Sequence, residues 1–153
     1  MRLSYFIIPI ITIIAALKGS YLTSNGMAWY NTLNLPSIAP PGSFIGIVWT
    51  IIFILSTISV LIFWQKSPRN KRFKWVTALF LINAFLNVFW SYLFFTQHLI
   101  LWAIIEMIVL NLTVIVLVLL LWRISKWASI LLLPYALWVA FATFLATKVF
   151  MLN

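Results

Sequence analysis

Polar side chains are rare in this sequence, and three of them fall on one helical face. Asn83, Asn87 and Ser91 are spaced at i, i+4 and i+8, and Trp90 borders the same stripe. An amide surrounded by hydrocarbon needs a hydrogen-bonding partner, so the stripe should face other helices or a cavity. For Asn83 the pattern favours hydrogen bonding between helices. For Asn87 and Ser91 two interpretations stay open: hydrogen bonding between helices, or contact with a ligand.

The tryptophans fall into two groups by position. Trp49, with Phe53 one turn later, and Trp138, with Ala142 one turn later, lie within apolar segments. Alanine one turn after an indole leaves a flat space above the ring, although close helix packing explains the same spacing. An interfacial position is a second interpretation for Trp49. The other group lies at segment ends beside basic residues, as in an interfacial aromatic belt: Trp64, Trp75, Trp122 and Trp127.

Glu106 is the only acidic residue of the chain. It lies in an apolar segment, where a charged side chain costs about 2.5–3.5 kcal/mol on insertion scales. It should therefore be paired, protonated or near the interface, with either a functional role or a structural partner such as Lys18. His98 is the only histidine, and cysteine is absent. One acid and one histidine supply neither an acid pair for glycoside hydrolysis nor a complete metal site, so we expect no metal.

The composition determines which elements must position these residues. The 153 residues are 65% hydrophobic and only 7% charged, whereas about a quarter of the residues in soluble domains are charged. This argues against a soluble enzyme or a nucleic-acid-binding module. Since one membrane-spanning helix needs roughly 20 apolar residues, we predict an all-α membrane protein. It is a bundle of five transmembrane helices with a long first extramembrane connection.

The predicted bundle is one integral membrane domain over residues 1–153. Its predicted spans are about 3–23, 44–65, 73–95, 99–122 and 127–150. The first connection, residues 25–43, holds three prolines and two glycines, which predicts that it is not helical throughout.

The basic residues predict the orientation in the cell membrane. The chain has ten Lys and Arg residues and a single acidic residue, and five of the ten basic residues lie in the segment from Lys66 to Lys74. Basic residues accumulate on the cytoplasmic side of a membrane. We therefore predict a cytoplasmic N-terminus and cytoplasmic basic turns at 66–72 and 123–126, with the first connection and the C-terminus outside. The same cluster is suited to contact with anionic lipid.

Three motifs follow one another along nearly the whole chain. The first joins aromatic residues to prolines and consists of Trp29-Tyr30, Pro36-Ser37, Pro40-Pro41 and Trp49. The second is NAFLNVFWSYLFF, residues 83–95, and the third runs from Pro134 through Trp138 to Leu145. Together they resemble the TspO/MBR family, the tryptophan-rich sensory proteins whose animal members are called translocator proteins or peripheral-type benzodiazepine receptors.

The sequence departs from the family pattern at a few positions. Leu35, Ile38 and Gly46 stand where the family often has lysine, tryptophan and proline. Sterol binding is not supported, because Tyr135 lies far from the basic residue Lys148.

The resemblance implies a bacterial membrane receptor or sensor that binds tetrapyrroles such as protoporphyrin IX in a pocket between helices. Isoquinoline-carboxamide-type molecules are also implied ligands, and the usual assembly is a homodimer. No cofactor is implied as permanently bound, and the porphyrin is ligand or substrate. Carried onto this sequence, the implied ligand-binding residues are Tyr30, Pro40, Trp49, Phe53, Asn87, Trp90, Ser91, Trp138 and Ala142.

Some bacterial members of the family promote light-dependent degradation of the porphyrin. We assign Trp49 and Trp138 a hypothetical redox role in that reaction, because indoles are the oxidisable groups nearest the implied pocket. Two alternatives stay open, which are a transporter of porphyrins or other amphipathic molecules and a lipid-binding regulatory membrane protein. For the dimer, the small residues Ala15, Gly19 and Ala78 allow close helix contact, and the resemblance favours the third helix.

Overall fold

The computed structural model describes residues 3–153, so Met1 and Arg2 of the predicted domain lie outside the described residues. Helices make up the described chain, with no strand between Leu3 and Asn153. The helices are α1 (Ser4–Tyr30), α2 (Gly42–Lys66), α3 (Lys71–Ser91), α4 (Ile100–Trp122), α5 (Lys126–Ile130) and α6 (Leu133–Leu152). A π-helical turn, Tyr92–Thr96, continues α3, and α5 with α6 forms the last span.

Five segments of the described chain are long and apolar enough to cross a membrane. The predicted five-span, all-α membrane protein is therefore confirmed. Two helices begin where the sequence supplies a side-chain cap for otherwise unpaired backbone N–H groups. The side chain of Asn70 accepts a hydrogen bond from the Phe73 N–H at the start of α3, and Ser125 accepts one from Ala128 at the start of α5.

The first connection is shorter than the sequence predicted. Helix α1 continues to Tyr30, and α2 already begins at Gly42. The prediction that residues 25–43 form the connection is therefore wrong for residues 25–30 and for residues 42 and 43. The prolines that break helices, Pro36, Pro40 and Pro41, all follow Tyr30. Gly26 lies within the helix, where the absence of a side chain allows a close contact with Phe95. A Cβ at Gly26 would lie 2.5 Å from both the Cβ and the carbonyl oxygen of Phe95.

The π-helical turn at the end of α3 buries two adjacent aromatic rings. Phe94 and Phe95 are 3% and 7% exposed, although consecutive residues of a regular helix point about 100° apart. The turn then closes at His98, the one described non-glycine residue with positive φ (56°), whose ring stacks on Trp29 at 4.0 Å. Single π turns occur frequently at functional sites. Here the turn directs two rings toward the end of α1.

Of the membrane-spanning helices, α4 has the most buried residues and α1 the fewest. Eight residues of α4 are buried, including Leu110, Val114 and Leu117, whereas Ile8 and Gly26 are the only buried residues of α1. Because α1 contributes little to the core, it is held by close backbone approach to the segment after α3.

The close approach at Gly26 gives the first testable prediction. Replacement of Gly26 by alanine should lower the free energy of unfolding by about 1–3 kcal/mol, the usual cost of overpacking, because the new methyl group meets backbone atoms. Thermal unfolding in detergent measures the change. Gly46→Ala is the matched control, since a Cβ there has nothing within 4 Å. Alanine favours a helix by up to about 1 kcal/mol over glycine, so equal losses for both variants would contradict this account.

The orientation in the membrane stays a prediction with a direct test. The chain has no cysteine, so single cysteines introduced at Asn70 and Ser37 can be labelled without background. Both positions are exposed and lie outside the helices. We expect a membrane-impermeant thiol reagent to label the Ser37 position from outside intact cells and the Asn70 position only after the membrane is opened. The reverse pattern would invert the predicted topology.

Candidate ligand-binding cavity

A cavity of about 410 Å³ lies between α1, α2, α3 and α6, toward the end of the bundle that holds the first connection. Eight of the nine ligand-binding residues implied by the sequence line it. They are Tyr30, Trp49, Phe53, Asn87, Trp90, Ser91, Trp138 and Ala142. The ninth, Pro40, lies in the first connection and is not among the lining residues. Ligand binding by these residues stays a prediction.

Small residues on α1 and α2 create the space. Gly19 faces Ser91, and a Cβ at Gly19 would lie 3.7 Å from the Ser91 hydroxyl oxygen. Gly42 and Gly46 on α2 also line the cavity, and a Cβ added at either position would meet no atom within 4 Å. The family often has proline where Gly46 stands, and the absence of a side chain there widens the cavity.

Aromatic rings form most of the rigid wall. Trp90 stacks on Phe94 with ring centroids 5.5 Å apart, and Trp138 packs on Phe141 at the same distance. Trp49 lies edge-on to Tyr135, with the centroids 6.0 Å apart. Such pairs hold the indoles in defined orientations before any ligand arrives. Trp49 therefore lies on a face of α2 that points toward the cavity.

Two hydrogen-bond donors in this wall are unused. The indole nitrogens of Trp90 and Trp138 are buried and find no acceptor among residues 3–153. A buried donor without a partner costs about 1–3 kcal/mol. Both residues line the cavity with their rings, but the nitrogens themselves are closed off from it, so a ligand would reach them only if the side chains moved.

A chain of hydrogen bonds lies beside the cavity and reaches it at Asn87. Asn83 donates from Nδ2 to the Thr113 hydroxyl at 2.8 Å, and the Tyr135 hydroxyl donates to Asn83 Oδ1 at 3.1 Å. Asn87 donates from Nδ2 to the Tyr135 hydroxyl at 3.0 Å. The predicted interhelical role of Asn83 is confirmed. For Asn87 both interpretations hold in part, because its side chain bonds to Tyr135 and also lines the cavity.

Glu106 lies apart from the cavity. Its side chain is buried at 7% exposure, and neither carboxyl oxygen has a hydrogen-bond partner in the described part of the chain. The suggested pairing with Lys18 is wrong, because Lys18 is an exposed residue of α1 and forms no ion pair with Glu106 among these residues. Within residues 3–153, no three His, Cys, Asp or Glu side chains come together as a metal site would require.

Hydrogen bonds from the end of α6 hold the first connection at the mouth of the cavity. The Asn34 N–H donates to Asn153 Oδ1 at 2.9 Å, and Asn153 Nδ2 donates back to the Asn34 carbonyl at 3.0 Å. The same nitrogen reaches the carbonyl of Val149, a lining residue, at 2.7 Å. The first connection is therefore fastened beside the cavity.

Sequence reasoning missed a part of the wall. Phe94, Phe95 and Phe141 line the cavity, and so do small residues of α1 such as Ala16 and Ser20. The α1 residues that line the cavity recur every three or four positions up to Tyr30, which is the spacing of one helical face. Recognising that face required knowing that α1 extends to Tyr30. The two rings after α3 could not be found from spacing, because the π turn changes the helical period.

This chain of hydrogen bonds gives a second prediction. Tyr135→Phe keeps the ring but removes the hydroxyl that joins Asn83 to Asn87. We expect the free energy of unfolding to fall by about 1–2 kcal/mol, the range for polar contacts between helices in lipid. Reversible unfolding in mixed micelles measures it. Tyr21→Phe serves as the control because Tyr21 is 62% exposed, and a change as large at Tyr21 would rule out a special role for the Tyr135 hydroxyl.

Comparisons with known proteins find related sequences over nearly the whole chain. The profile of the TspO/MBR family matches residues 6–152. An uncharacterized membrane protein of Bacillus subtilis, YtaB, is 40% identical over 134 residues, which cover 87% of this chain and 85% of that protein. Tryptophan-rich protein TspO of Bacillus cereus is 34% identical over 82% of this chain and 80% of its own length. Tryptophan-rich protein TspO of Archaeoglobus fulgidus is 32% identical over 100% of this chain and 99% of its own length.

Proposed function

The chain belongs to the TspO/MBR family, and we propose that it is a membrane receptor that binds a tetrapyrrole such as protoporphyrin IX between its helices. The observation that carries the proposal is the cavity walled by Trp49, Trp90 and Trp138. Its volume of about 410 Å³ falls in the range of about 300–1,000 Å³ that is usual for small-molecule sites.

The shape and chemistry of the wall suit a flat, apolar ring system. Indole and phenyl faces offer large contact areas and lose little rotational freedom on binding. The lining residues include no charged side chain. A porphyrin would therefore place its ring among the aromatic residues and keep its two carboxylates toward the mouth, where water is available near the first connection.

A few polar groups set the orientation of the bound ring. Asn87 is held by its hydrogen bond to Tyr135, and Ser91 lies one turn further along the same face. Few but fixed polar groups in an apolar cavity are typical of sites that select one orientation of a ligand.

The same site is suited to light-dependent degradation of the porphyrin. A porphyrin excited by light accepts one electron from a nearby indole. The porphyrin radical anion then adds dioxygen, both of whose oxygen atoms enter the product as a carbon–carbon bond of the ring breaks, and return of the electron restores the indole. Trp49 and Trp138 are the proposed electron donors. This chemistry requires no acid–base pair, and the cavity wall contains none.

Tryptophan-to-phenylalanine variants test this proposal. Trp49→Phe and Trp138→Phe keep most of the apolar contact, so porphyrin affinity should fall only by about 0.5–1.5 kcal/mol. The rate of light-dependent porphyrin loss should fall much further, because the electron donor is removed. Absorbance under illumination follows the loss, and dark titration of tryptophan fluorescence gives the bound fraction.

Trp64→Phe and Trp75→Phe are the controls, since neither residue lines this cavity. Both should leave affinity and photochemistry unchanged. Equal rates of porphyrin loss in all four variants would remove the redox role and leave binding alone. If no tetrapyrrole alters the fluorescence of the unmodified protein, the proposed ligand class is wrong.

We also propose a homodimer through α3. One stripe of this helix recurs every three or four residues and faces outward, as helix contacts require. It consists of Trp75, Ala78, Ile82, Phe85, Phe89 and Tyr92. Phe85 stacks on Phe89 at 5.6 Å, and Phe85 is 65% exposed. The alternative pair on α1 is less suited, because Gly19 faces Ser91 of its own chain.

Crosslinking tests the dimer. A single cysteine in place of Ile82, which is 50% exposed, should form a disulfide-linked dimer under mild oxidation in native membranes. A cysteine in place of Leu137, which is 72% exposed on α6, should not. Equal dimer yields at both positions would indicate random collision rather than a defined contact.

A further inference from the structure

A second cavity, of about 660 Å³, opens between α1, α2 and α3 at the opposite end of the bundle. Its walls are mostly aliphatic and aromatic, and they include Ile8, Ile11, Val60 and Phe80. Asn87 and Phe53 form its inner end, where it borders the first cavity. Of the nine ligand-binding residues that the family resemblance implies, only Phe53 and Asn87 line this second cavity.

Two hydroxyl groups in this wall lack partners. Ser56 and Thr77 line the cavity, and each side-chain oxygen is buried with no hydrogen-bond partner in the described residues. Other polar side chains of the wall, among them Thr12, Asn83 and Asn87, form hydrogen bonds within the chain, so the wall offers little that would recognise a polar solute. Long apolar walls within the membrane-spanning segments instead suit a hydrocarbon chain.

The mouth of this second cavity is cationic. Trp64 lines the cavity, and the guanidinium of Arg69 lies 4.8 Å from the centroid of its ring and 4.1 Å from that of Phe73. Arg69 is exposed, and Lys66 and Lys71 flank it in the chain. The only acid of the chain, Glu106, lies within α4. The positive charge at the mouth therefore has no carboxylate beside it.

We propose that the second cavity is a binding site for an anionic phospholipid. One acyl chain enters between α1, α2 and α3, and the phosphate binds Arg69 at the mouth. Guanidinium groups pair strongly with phosphate oxygens, and the ring of Trp64 holds this guanidinium beside the opening. A lipid satisfies both features together, because its anionic group and its hydrocarbon chain are joined at the membrane surface.

The two other occupants fit less well. A second copy of the chain would bring its own basic cluster against this one. A free anion such as inorganic phosphate would leave the apolar walls unfilled. The proposal does not rest on tetrapyrrole binding, because this site is reached from the other end of the bundle.

The test uses the full chain in bilayer nanodiscs containing a small, equal fraction of phosphatidylglycerol or phosphatidylcholine. Each probe lipid carries a photoactivatable diazirine on one acyl chain, and mass spectrometry locates the crosslinks. We expect phosphatidylglycerol to label the cavity wall about fivefold more than phosphatidylcholine, the effect of one basic residue near an anionic group. Labels should concentrate in residues 7–15, 56–64 and 77–84.

Two pairs of variants separate a site from diffuse attraction. Arg69→Gln should abolish the preference for phosphatidylglycerol, whereas Arg123→Gln removes the same charge at the same end but away from the cavity and should retain it. Ala84→Trp fills the cavity and should remove most of the labelling. Leu137→Trp adds the same bulk on an exposed face of α6 and should not. Thermal unfolding of each variant shows whether it is folded.

Several results would overturn the proposal. Equal labelling by the two lipids shows that no anionic site exists, and equal effects of the two arginine variants show that the attraction is diffuse. Labels spread in proportion to exposure show that lipid does not enter the cavity. If Ala84→Trp is unfolded, the arginine pair still decides the question. Crosslinks between two protein chains at residues 77–84 would instead assign the cavity to a second copy.

Discussion

Asn83, Tyr135 and Asn87 lie among hydrocarbon and satisfy one another. In a membrane, an amide or hydroxyl finds no water, so its partner must come from another helix. The bonds from Asn83 to Thr113 and Tyr135, and from Asn87 to Tyr135, join α3 to α4 and α6 at one level. This junction sets the rotation of α3 about its axis. Trp90 and Ser91 then face the same side as Asn87 and complete the wall of the first cavity.

Helix α1 is held by a different principle. It has almost no buried side chains, and its position depends on how closely its backbone approaches the π-helical turn at Gly26. The approach at this one point, with the stack of Trp29 on His98, anchors α1 at the end nearest the first connection. Small residues elsewhere on α1 leave space between it and α3.

The two cavities differ in the chemistry of their walls and mouths. The first is aromatic, with a few fixed polar groups and no charged residue, whereas the second is mainly aliphatic and opens beside Arg69. They meet at Phe53 and Asn87, which line both. A molecule in one cavity therefore contacts side chains that also shape the other. Such a shared wall couples two sites only to the extent that each occupant favours a different arrangement of it.

The sequence by itself determined the class of the protein and the number of its spans, and the family resemblance identified eight residues of the first cavity wall. Apolar length is a local property, so five spans could be counted, and the spacing of Asn83, Asn87 and Ser91 placed them on one face. The end of α1 was misjudged, because glycine weakens a helix in general but at Gly26 permits a contact with Phe95. Tertiary structure alone decided that Tyr135 joins the two asparagines, that Lys18 does not pair with Glu106, and that a second cavity lies above the basic turn. Each of these depends on how helices distant in sequence rotate and pack against one another, which no local pattern records.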